Sequence, residues 1–277
     1  MAIMSLRENW NAGRELFNVV RRHRQLTWEM TRRELTEKYA GQMLGTIWAF
    51  VHPAIMMAVY VFIFVFVFKV KMGGTTDMPL DYTTYLLAGL IPWLTCSESM
   101  SKGTGVLVGN SNLVKQVVFP LEVLPVKTVL SSFVTQLIST VLLVGYVLVS
   151  QHSFQPTLLL LPILFVLQIM GLVGLCCTLC AVGAYFRDLR EFVQIQNVIG
   201  IYLMPILYLP SMVPSTFQAL LYLNPFSYMV WCYQDASYFG RFEHPWAWVV
   251  FPVLSLASYA MGYRLFRMLK PMVGNVL

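Results

Sequence analysis

Charged side chains are scarce in this sequence. They make up 12% of the 277 residues, whereas apolar residues make up 57%; an ordinary soluble domain is about 25% charged. The apolar residues also stand in long runs separated by short polar segments. This balance excludes a soluble globular protein, so we expect the whole chain to be an all-α integral membrane protein.

Motifs for catalysis and for nucleotide binding are also absent. The glycine cluster from Gly103 to Gly109 lacks the Gly-Lys-Ser/Thr ending of a phosphate-binding loop. The four histidines are far apart, and no paired acids, His-Glu-x-x-His motif or nucleophile elbow accompanies them. We therefore predict that the chain is not an enzyme and that it binds no cofactor and no metal itself.

The five cysteines do not indicate a redox or metal site. Cys177 and Cys180 have the spacing of a redox pair or of half a zinc site, but no second pair or histidine cluster accompanies them. The run around them is rich in glycine and alanine, which permit close helix contact. The sequence therefore favours small buried thiols in a packed helix.

Six apolar runs are long enough to cross a bilayer, which takes roughly 20 helical residues. They are Thr46 to Phe68, Thr83 to Val106, Val129 to Ser150, Thr157 to Tyr185, Phe192 to Pro210 and Trp246 to Leu269. We therefore divide the chain into a cytoplasmic region, 1–45, and a six-span transmembrane domain, 46–277.

The distribution of basic residues predicts the orientation, because lysine and arginine near span ends stay cytoplasmic. If the N-terminus is inside, every lysine and arginine except Lys69, Lys71 and Arg241 falls in a cytoplasmic segment. Both termini are then cytoplasmic. The net charge of +6 is dispersed at span ends, so it indicates topology and not a nucleic-acid partner.

The cytoplasmic region reads as two helices and an elbow. Apolar residues recur at helical spacing among charged ones, which is typical of a helix lying on a membrane surface: Ile3, Leu6, Trp10, Phe17 and Val20. A second polar helix, Thr27 to Ala40, ends at an elbow with Gly41 and Gly45, where glycine permits a bend. The elbow is either a moving part or a plain linker.

The first run carries an aromatic stripe. Tyr60, Phe64 and Phe68 are four residues apart and share one helix face. Aromatic faces stack on sugar rings, but such a stripe also packs against helices or lipid, and the residues alone leave both interpretations open.

The second and fifth runs hold polar side chains. Glu98 is followed by Lys102 on the same helix face, which favours an ion pair over a functional acid. In the fifth run, Gln194, Asn197, Ile201, Pro205 and Tyr208 fall at helical spacing on one face. That face is either a pore wall or a set of amides that join helices by hydrogen bonds.

Two connecting segments have distinct features. Residues 109–122 begin with good N-caps, Asn110 to Asn112, and meet Pro120, which predicts a short cytoplasmic helix that docks in another protein's groove, or a simple turn. Residues 213–240 contain Asn224-Pro225 in mid-run, and an interior proline breaks a helix. We expect a re-entrant extracytoplasmic hairpin there and not a seventh span; its tyrosines and tryptophans suit an interfacial belt or ligand contact.

A set of short motifs in a fixed order runs from Thr36 to Tyr228. They are Lys38-Tyr39 through Leu44-Gly45-x-x-Trp48 with Pro53, Leu90-x-Pro92-Trp93, Leu113-Val-Lys115 with Phe119-Pro120 and Leu124-Pro125, Phe186-Arg187-Asp188-Leu189-x-x-Phe192, Pro205-Ile-Leu-Tyr208, Val213-Pro214 and Asn224-Pro225. In this order they resemble the membrane (permease) subunit of bacterial ABC exporters for O-antigen, capsule and teichoic acid, most of all the O-antigen branch. The chain has Lys38 and Gln42 where the family often has arginine and serine, which weakens a charge-specific gate role for Lys38.

The resemblance implies a homodimer in the bacterial inner membrane, two separate ABC ATPase subunits that use ATP and Mg, and a lipid-linked polysaccharide as cargo. It implies a channel lined from spans one and five, for which the candidates are Tyr60, Phe64, Phe68, Gln194, Asn197, Tyr202 and Tyr208. The ATPase-coupling candidates are Asn112, Lys115, Gln116, Phe119 and Glu122, and the elbow candidates are Lys38, Tyr39 and Gly41. The outer cap would comprise Pro214, Asn224, Pro225 and Tyr228.

Two other functions fit the pattern less well. An exporter of small drugs or lipids would share the six-span architecture. A membrane-embedded glycosyl- or acyltransferase would need an intramembrane acid or histidine pair that the sequence lacks.

Overall fold

The computed structural model describes residues 6–67, 80–115, 119–151 and 155–276. This part of the chain consists of helices and turns, with no strand. The helices are α1 (Leu6–Arg22), α2 (Arg24–Lys38), α3 (Trp48–Val61), α4 (Tyr82–Gly109), α5 (Ser111–Val114), α6 (Val123–Gln151), α7 (Leu161–Tyr185), α8 (Leu189–Gly200), α9 (Ser215–Leu223), α10 (Pro225–Gln234) and α11 (Ala247–Val276). Short 3-10 turns (Gly45–Ile47, Pro156–Leu160, Pro210–Met212) and π-helical turns (Phe62–Val67, Asp235–Phe239) extend or join them.

Among the described residues, three stretches are long and apolar enough to cross a membrane: Val123–Val149, Pro156–Tyr185 and Ala247–Pro271. Trp48–Val61 is a shorter apolar helix, and α4 has 28 residues but a more polar composition. The all-helical membrane class is therefore confirmed. The count of six spans and the placement of both termini stay predictions.

The fifth predicted span is not one continuous helix. Helix α8 ends at Gly200, and residues 201–209 form turns and bends. Pro205 has no backbone N–H to donate, and proline disfavours helical geometry in the residue before it. The expectation of a single helical face from Gln194 to Tyr208 was therefore wrong beyond Gly200.

Helix α4 is the centre of the bundle, with Leu86, Leu90 and Trp93 almost fully buried. Beside it, α7 and α11 approach very closely, because Gly174 of α7 lies against the backbone of α11 at Ser258 and Tyr259. The prediction of packed small side chains is confirmed: the thiols of Cys176, Cys177 and Cys180 are buried and free.

The N-terminal region forms the two predicted helices. Helix α1 buries Ala12 and Leu16 but exposes Trp10 and Phe17, so it is amphipathic in the fold as in the sequence. After α2, Gly41 and Gly45 adopt positive φ values of 77° and 51°, a region that glycine enters without steric cost. The predicted bend at the elbow is confirmed.

The segment that is predicted to lie outside the membrane breaks at its proline. Helices α9 and α10 meet at Asn224, whose side-chain oxygen accepts a hydrogen bond from the Phe226 N–H at 3.1 Å, and Pro225 begins α10. The predicted break at Asn224-Pro225 is confirmed, whereas the re-entrant path of the segment stays a prediction. The depth of this hairpin in the membrane stays a prediction.

Candidate functional site

A cavity of about 420 Å³ lies between the elbow, α3, α4 and α6. The cavity is lined by both polar and apolar side chains. Charged and aromatic side chains come from the elbow and α3, and hydroxyls and an amide come from α4 and α6. Leucines and methionines lie between them. Among the residues that it brings together are Lys38, Tyr39, Tyr60, Glu98 and Gln136. A cavity with both polar and apolar walls suits an amphiphilic molecule.

Glu98 holds the elbow against this cavity. The predicted ion pair with Lys102 is confirmed at 2.9 Å, and Lys38 of α2 donates to the same carboxylate at 2.8 Å. Burial lowers the pKa of Lys38, but the hydrogen bond and negative charge of Glu98 outweigh it and hold that pKa above its ordinary value. Lys38 is therefore a cation at neutral pH, and its ion pair with Glu98 holds the end of α2 against α4.

A second carboxylate continues the cluster. Glu34 of α2 lies 3.4 Å from Lys102 of α4 and 3.3 Å from Lys127 of α6, and it accepts a hydrogen bond from the Ser131 hydroxyl at 2.7 Å. These groups join three helices at one end of the bundle. Sequence reasoning missed Glu34, because its partners are distant in the chain and α2 has no apolar face to mark its orientation.

Only some of the predicted channel-lining aromatic residues lie among the described residues. Tyr60 is half-buried, and its hydroxyl interacts electrostatically with that of Tyr202, which is 63% exposed. Tyr208 donates to the carbonyl oxygen of Tyr202 at 2.7 Å. Tyr60 of the first predicted span and Tyr202 of the fifth are therefore within electrostatic range of each other. The Phe64 side chain and Phe68 lie outside the described residues.

Gln194 and Asn197, the two channel candidates among the amides of α8, have different surroundings. Asn197 donates to the Ser97 carbonyl at 3.0 Å and to the Ser101 hydroxyl at 2.8 Å, so it joins α8 to α4, which was the second interpretation of this face. Gln194 is exposed among the exposed apolar side chains of α8. Whether Gln194 meets the cargo stays a prediction.

The expected coupling helix is shorter than predicted. Helix α5 has four residues, and Asn110 takes the N-cap position but donates its amide to the Val106 carbonyl at 2.7 Å. Asn112 and Lys115 are exposed, and Phe119 packs against the core. Gln116 lies outside the described residues.

Glu122 has a different environment from the exposed members of the coupling set. It is 5% exposed and accepts a hydrogen bond from Lys270 at 2.6 Å. Its carboxylate therefore faces the interior of its own chain and not a partner's surface.

The predicted outer cap is held by aromatic contacts, some of them within the hairpin and others with Trp246 just before α11. Tyr228 donates to the Tyr222 carbonyl at 2.6 Å, and the Trp231 and Trp246 rings meet edge to face with centroids 4.4 Å apart. Pro214 and Pro225 are exposed. These contacts fix the hairpin's shape, and the role of a cap stays a prediction.

A buried polar network, which the sequence did not reveal, crosses the bundle. Gln136 of α6 donates to Gln168 of α7 at 2.7 Å, the Tyr233 hydroxyl donates to the Gln168 oxygen, and Gln168 donates to the Pro92 carbonyl at 3.1 Å. Buried polar groups in membrane helices need such partners. No local periodicity indicates which of the chain's glutamines will pair.

A helical membrane bundle with an amphiphilic cavity beside a polar elbow has the form of a transport subunit, since intramembrane polar groups mark substrate paths. The family model described as ABC-2 type transporter matches residues 25–237, most of the chain. This protein belongs to the ABC-2 type transporter family. It is a multi-pass membrane transport subunit and not an enzyme, consistent with the expected place in the bacterial inner membrane.

Similar proteins carry one description. Two proteins from Klebsiella pneumoniae, both called O-antigen export system permease protein RfbA, are 25% and 24% identical to this chain. The alignments cover 90% and 99% of this chain, and 93% and 100% of the relatives. A protein of the same name from Myxococcus xanthus is 29% identical over 82% of this chain and 84% of its own length. The resemblance to the permease of O-antigen exporters is confirmed.

Proposed function

We propose that this chain is the membrane subunit of an ATP-driven exporter that moves an undecaprenyl-linked polysaccharide of the O-antigen type across the inner membrane. The observation that carries the proposal is the shared description of three relatives, each aligned over more than four-fifths of this chain. A second copy of the chain and two ABC ATPase subunits complete the exporter. The ATPase subunits bind and use ATP and Mg.

The chemistry of the described surfaces supports this cargo. Sugar C–H faces stack on aromatic rings without fixing one sequence, which a sliding polymer requires, and the half-buried Tyr60 and the exposed Tyr202 offer such rings. The cavity's hydroxyls and amide add exchangeable hydrogen bonds, and its leucines and methionines suit a lipid tail.

Two exposed surfaces support the proposal of a second copy and an ATPase subunit as partners. Helix α8 exposes Phe192, Ile195 and Val198 by 60% or more, and an apolar face of that kind is covered by lipid or by a second copy. Asn112 and Lys115 lie exposed at α5, where an ATPase subunit would dock.

A deletion and complementation experiment tests the proposal. In a host that makes the cognate glycan, deleting the gene should abolish surface glycan and leave lipid-linked glycan inside, because assembly precedes export. Surface glycan is measured by blotting of intact cells and accumulated glycan by extraction. Normal surface glycan together with altered drug resistance or lipid distribution would favour the drug or lipid exporter instead.

A further inference from the structure

A second cavity, of about 510 Å³, lies between α4, α7, α10 and α11. Its long walls come from α7 and α11, two helices of membrane-spanning length, and the start of α10 contributes Pro225, Phe226 and Met229. The lining residues of α11 run from Phe251 to Leu265, a distance of about 21 Å at the rise of an α-helix. The cavity is therefore a long groove between the two membrane helices.

The groove is narrow as well as long. Its volume, spread over that length, gives a mean cross-section of about 24 Å², about half the diameter of a helix with its side chains. Close helix contact explains this: a Cβ on Gly171 of α7 would lie 3.4 Å from the Ser255 Cα of α11, and one on Gly262 would overlap the Gly174 carbonyl. A helix from a second copy or from another protein is therefore too wide to enter the groove.

The walls of the groove suit hydrocarbon. Most of its lining side chains are leucine, methionine, phenylalanine or small apolar residues. Three of its polar side chains already donate hydrogen bonds inside the protein. Ser258 donates to the Gly171 carbonyl at 2.9 Å and Thr178 to the Gly174 carbonyl at 3.2 Å, and Gln168 belongs to the buried network. Apolar cavities of this kind stay dry and take apolar molecules, whereas the hydroxyls of a glycan would lose their hydrogen bonds there.

The groove opens along α11, where the lining residues Leu254 and Met261 are 37% and 43% exposed. Both lie well inside Ala247–Pro271, the stretch of α11 that is long and apolar enough to cross a membrane. In a bilayer this side of the helix meets hydrocarbon. A lipid chain can therefore enter the groove from the side without passing a polar surface.

We propose that this groove binds one acyl chain of a membrane phospholipid, which lies between α7 and α11 and packs against the start of α10. A saturated acyl chain is unbranched and fits a narrow groove, whereas the methyl branches of a polyprenyl tail make that tail wider. The bound chain adds apolar contacts that hold α10 to the two membrane helices. The site shares no lining residue with the cavity beside the elbow, and it does not depend on which cargo the exporter moves.

The first experiment maps the bound lipid by photochemical labelling. The purified full-length protein in detergent receives a phosphatidylethanolamine whose palmitoyl chain carries a diazirine, and mass spectrometry identifies the labelled peptides. In the wild type we expect label on the groove residues of α7 and α11. Ala257→Phe and Thr178→Phe fill the groove from α11 and from α7 and should lose most of this label. Val253→Phe is the matched control, because Val253 is 60% exposed and lies outside the lining, and it should keep the label.

Two results of the labelling would overturn the inference. One is equal labelling of the groove in the wild type and in both filled variants, which would show that the lipid binds only to the outer surface of the helices. The other is displacement of the label by a polyprenyl phosphate at concentrations where unlabelled phosphatidylethanolamine has no effect. That result would assign the groove to the tail of a polyprenyl-linked cargo.

The second experiment measures the thermal stability of the delipidated wild type. Palmitoyl lysophosphatidylethanolamine at about 100 times its Kd should raise the Tm by about 5–11 °C. The octanoyl form should raise it less, because it fills only part of the groove. Ala257→Phe should show no such rise, since its ring takes the place of the chain. Equal Tm values with both lipids, or no rise in the wild type, would refute the inference; this comparison of lipids needs no variant and so does not depend on how well a variant folds.

Discussion

Replacing Gly174 by alanine should destabilise the protein through one contact. A Cβ atom at this position would lie 2.5 Å from the Tyr259 Cα atom and would overlap the Ser258 carbonyl. Carbon atoms in contact prefer separations of roughly 3.5–4.0 Å, so the α7 and α11 backbones would have to part by about 1 Å. Backbone cannot rotate away as a flexible side chain does.

The magnitude follows from the size of this overlap. Overpacking a well-packed core costs about 1–3 kcal/mol, and for a chain of this size each kcal/mol moves the Tm by about 2–4 °C. We expect Gly174→Ala to lower the Tm by about 2–12 °C. The assay is size-exclusion chromatography of the purified protein in detergent after heating to a series of temperatures.

Gly105→Ala is the matched control. A Cβ at Gly105 of α4 meets nothing within 4 Å, and alanine favours a helix over glycine by about 0.5–1 kcal/mol. Its Tm should be unchanged or slightly raised. Equal Tm values for the two alanine variants would refute the close approach of α7 and α11.

Three further substitutions test other contacts. Gln168→Leu removes the hydrogen bonds to Gln136, Tyr233 and the Pro92 carbonyl, each worth about 0.6 kcal/mol on average inside a membrane, and should lower the Tm in the same assay; an unchanged Tm would contradict the buried network. Tyr60→Ala with Tyr202→Ala should slow the appearance of glycan at the cell surface in a pulse-labelling experiment, whereas a wild-type rate would show that these rings pack only against protein or lipid. Glu98→Gln removes the carboxylate that holds Lys38 and should speed amide hydrogen exchange at the end of α2; unchanged exchange would show that the pair does not anchor the elbow.

Several features could be predicted because their signals are local. Apolar runs give the membrane class, and proline gives the break at Asn224-Pro225. Glu98 and Lys102 are neighbours on one helix face, so their pairing follows from the spacing alone. The ordered motifs gave the family, although each motif is short.

The break after Gly200 had a local signal in Pro205, although the sequence predicted that the helix would continue to Pro210. Other features have no local signal. Gly200 of α8 lies against Trp93 of α4, where a Cβ would come within 2.6 Å of the indole. Glu122 looked like an exposed charge of a docking segment. Only the fold shows that Leu121 and Val123 bury it and that Lys270 meets it.

By itself, the sequence determined that this is a membrane protein, that its chain breaks at Asn224-Pro225, and which family it belongs to. These conclusions rest on composition, proline and helical spacing, which act over a few residues. The tertiary structure decided which polar groups meet. Glu34 with Lys127, Gln136 with Gln168 and Glu122 with Lys270 are brought together by helices from separate parts of the chain. A polar group that is buried in the protein needs a partner, and which partner it finds depends on the packing of the whole bundle.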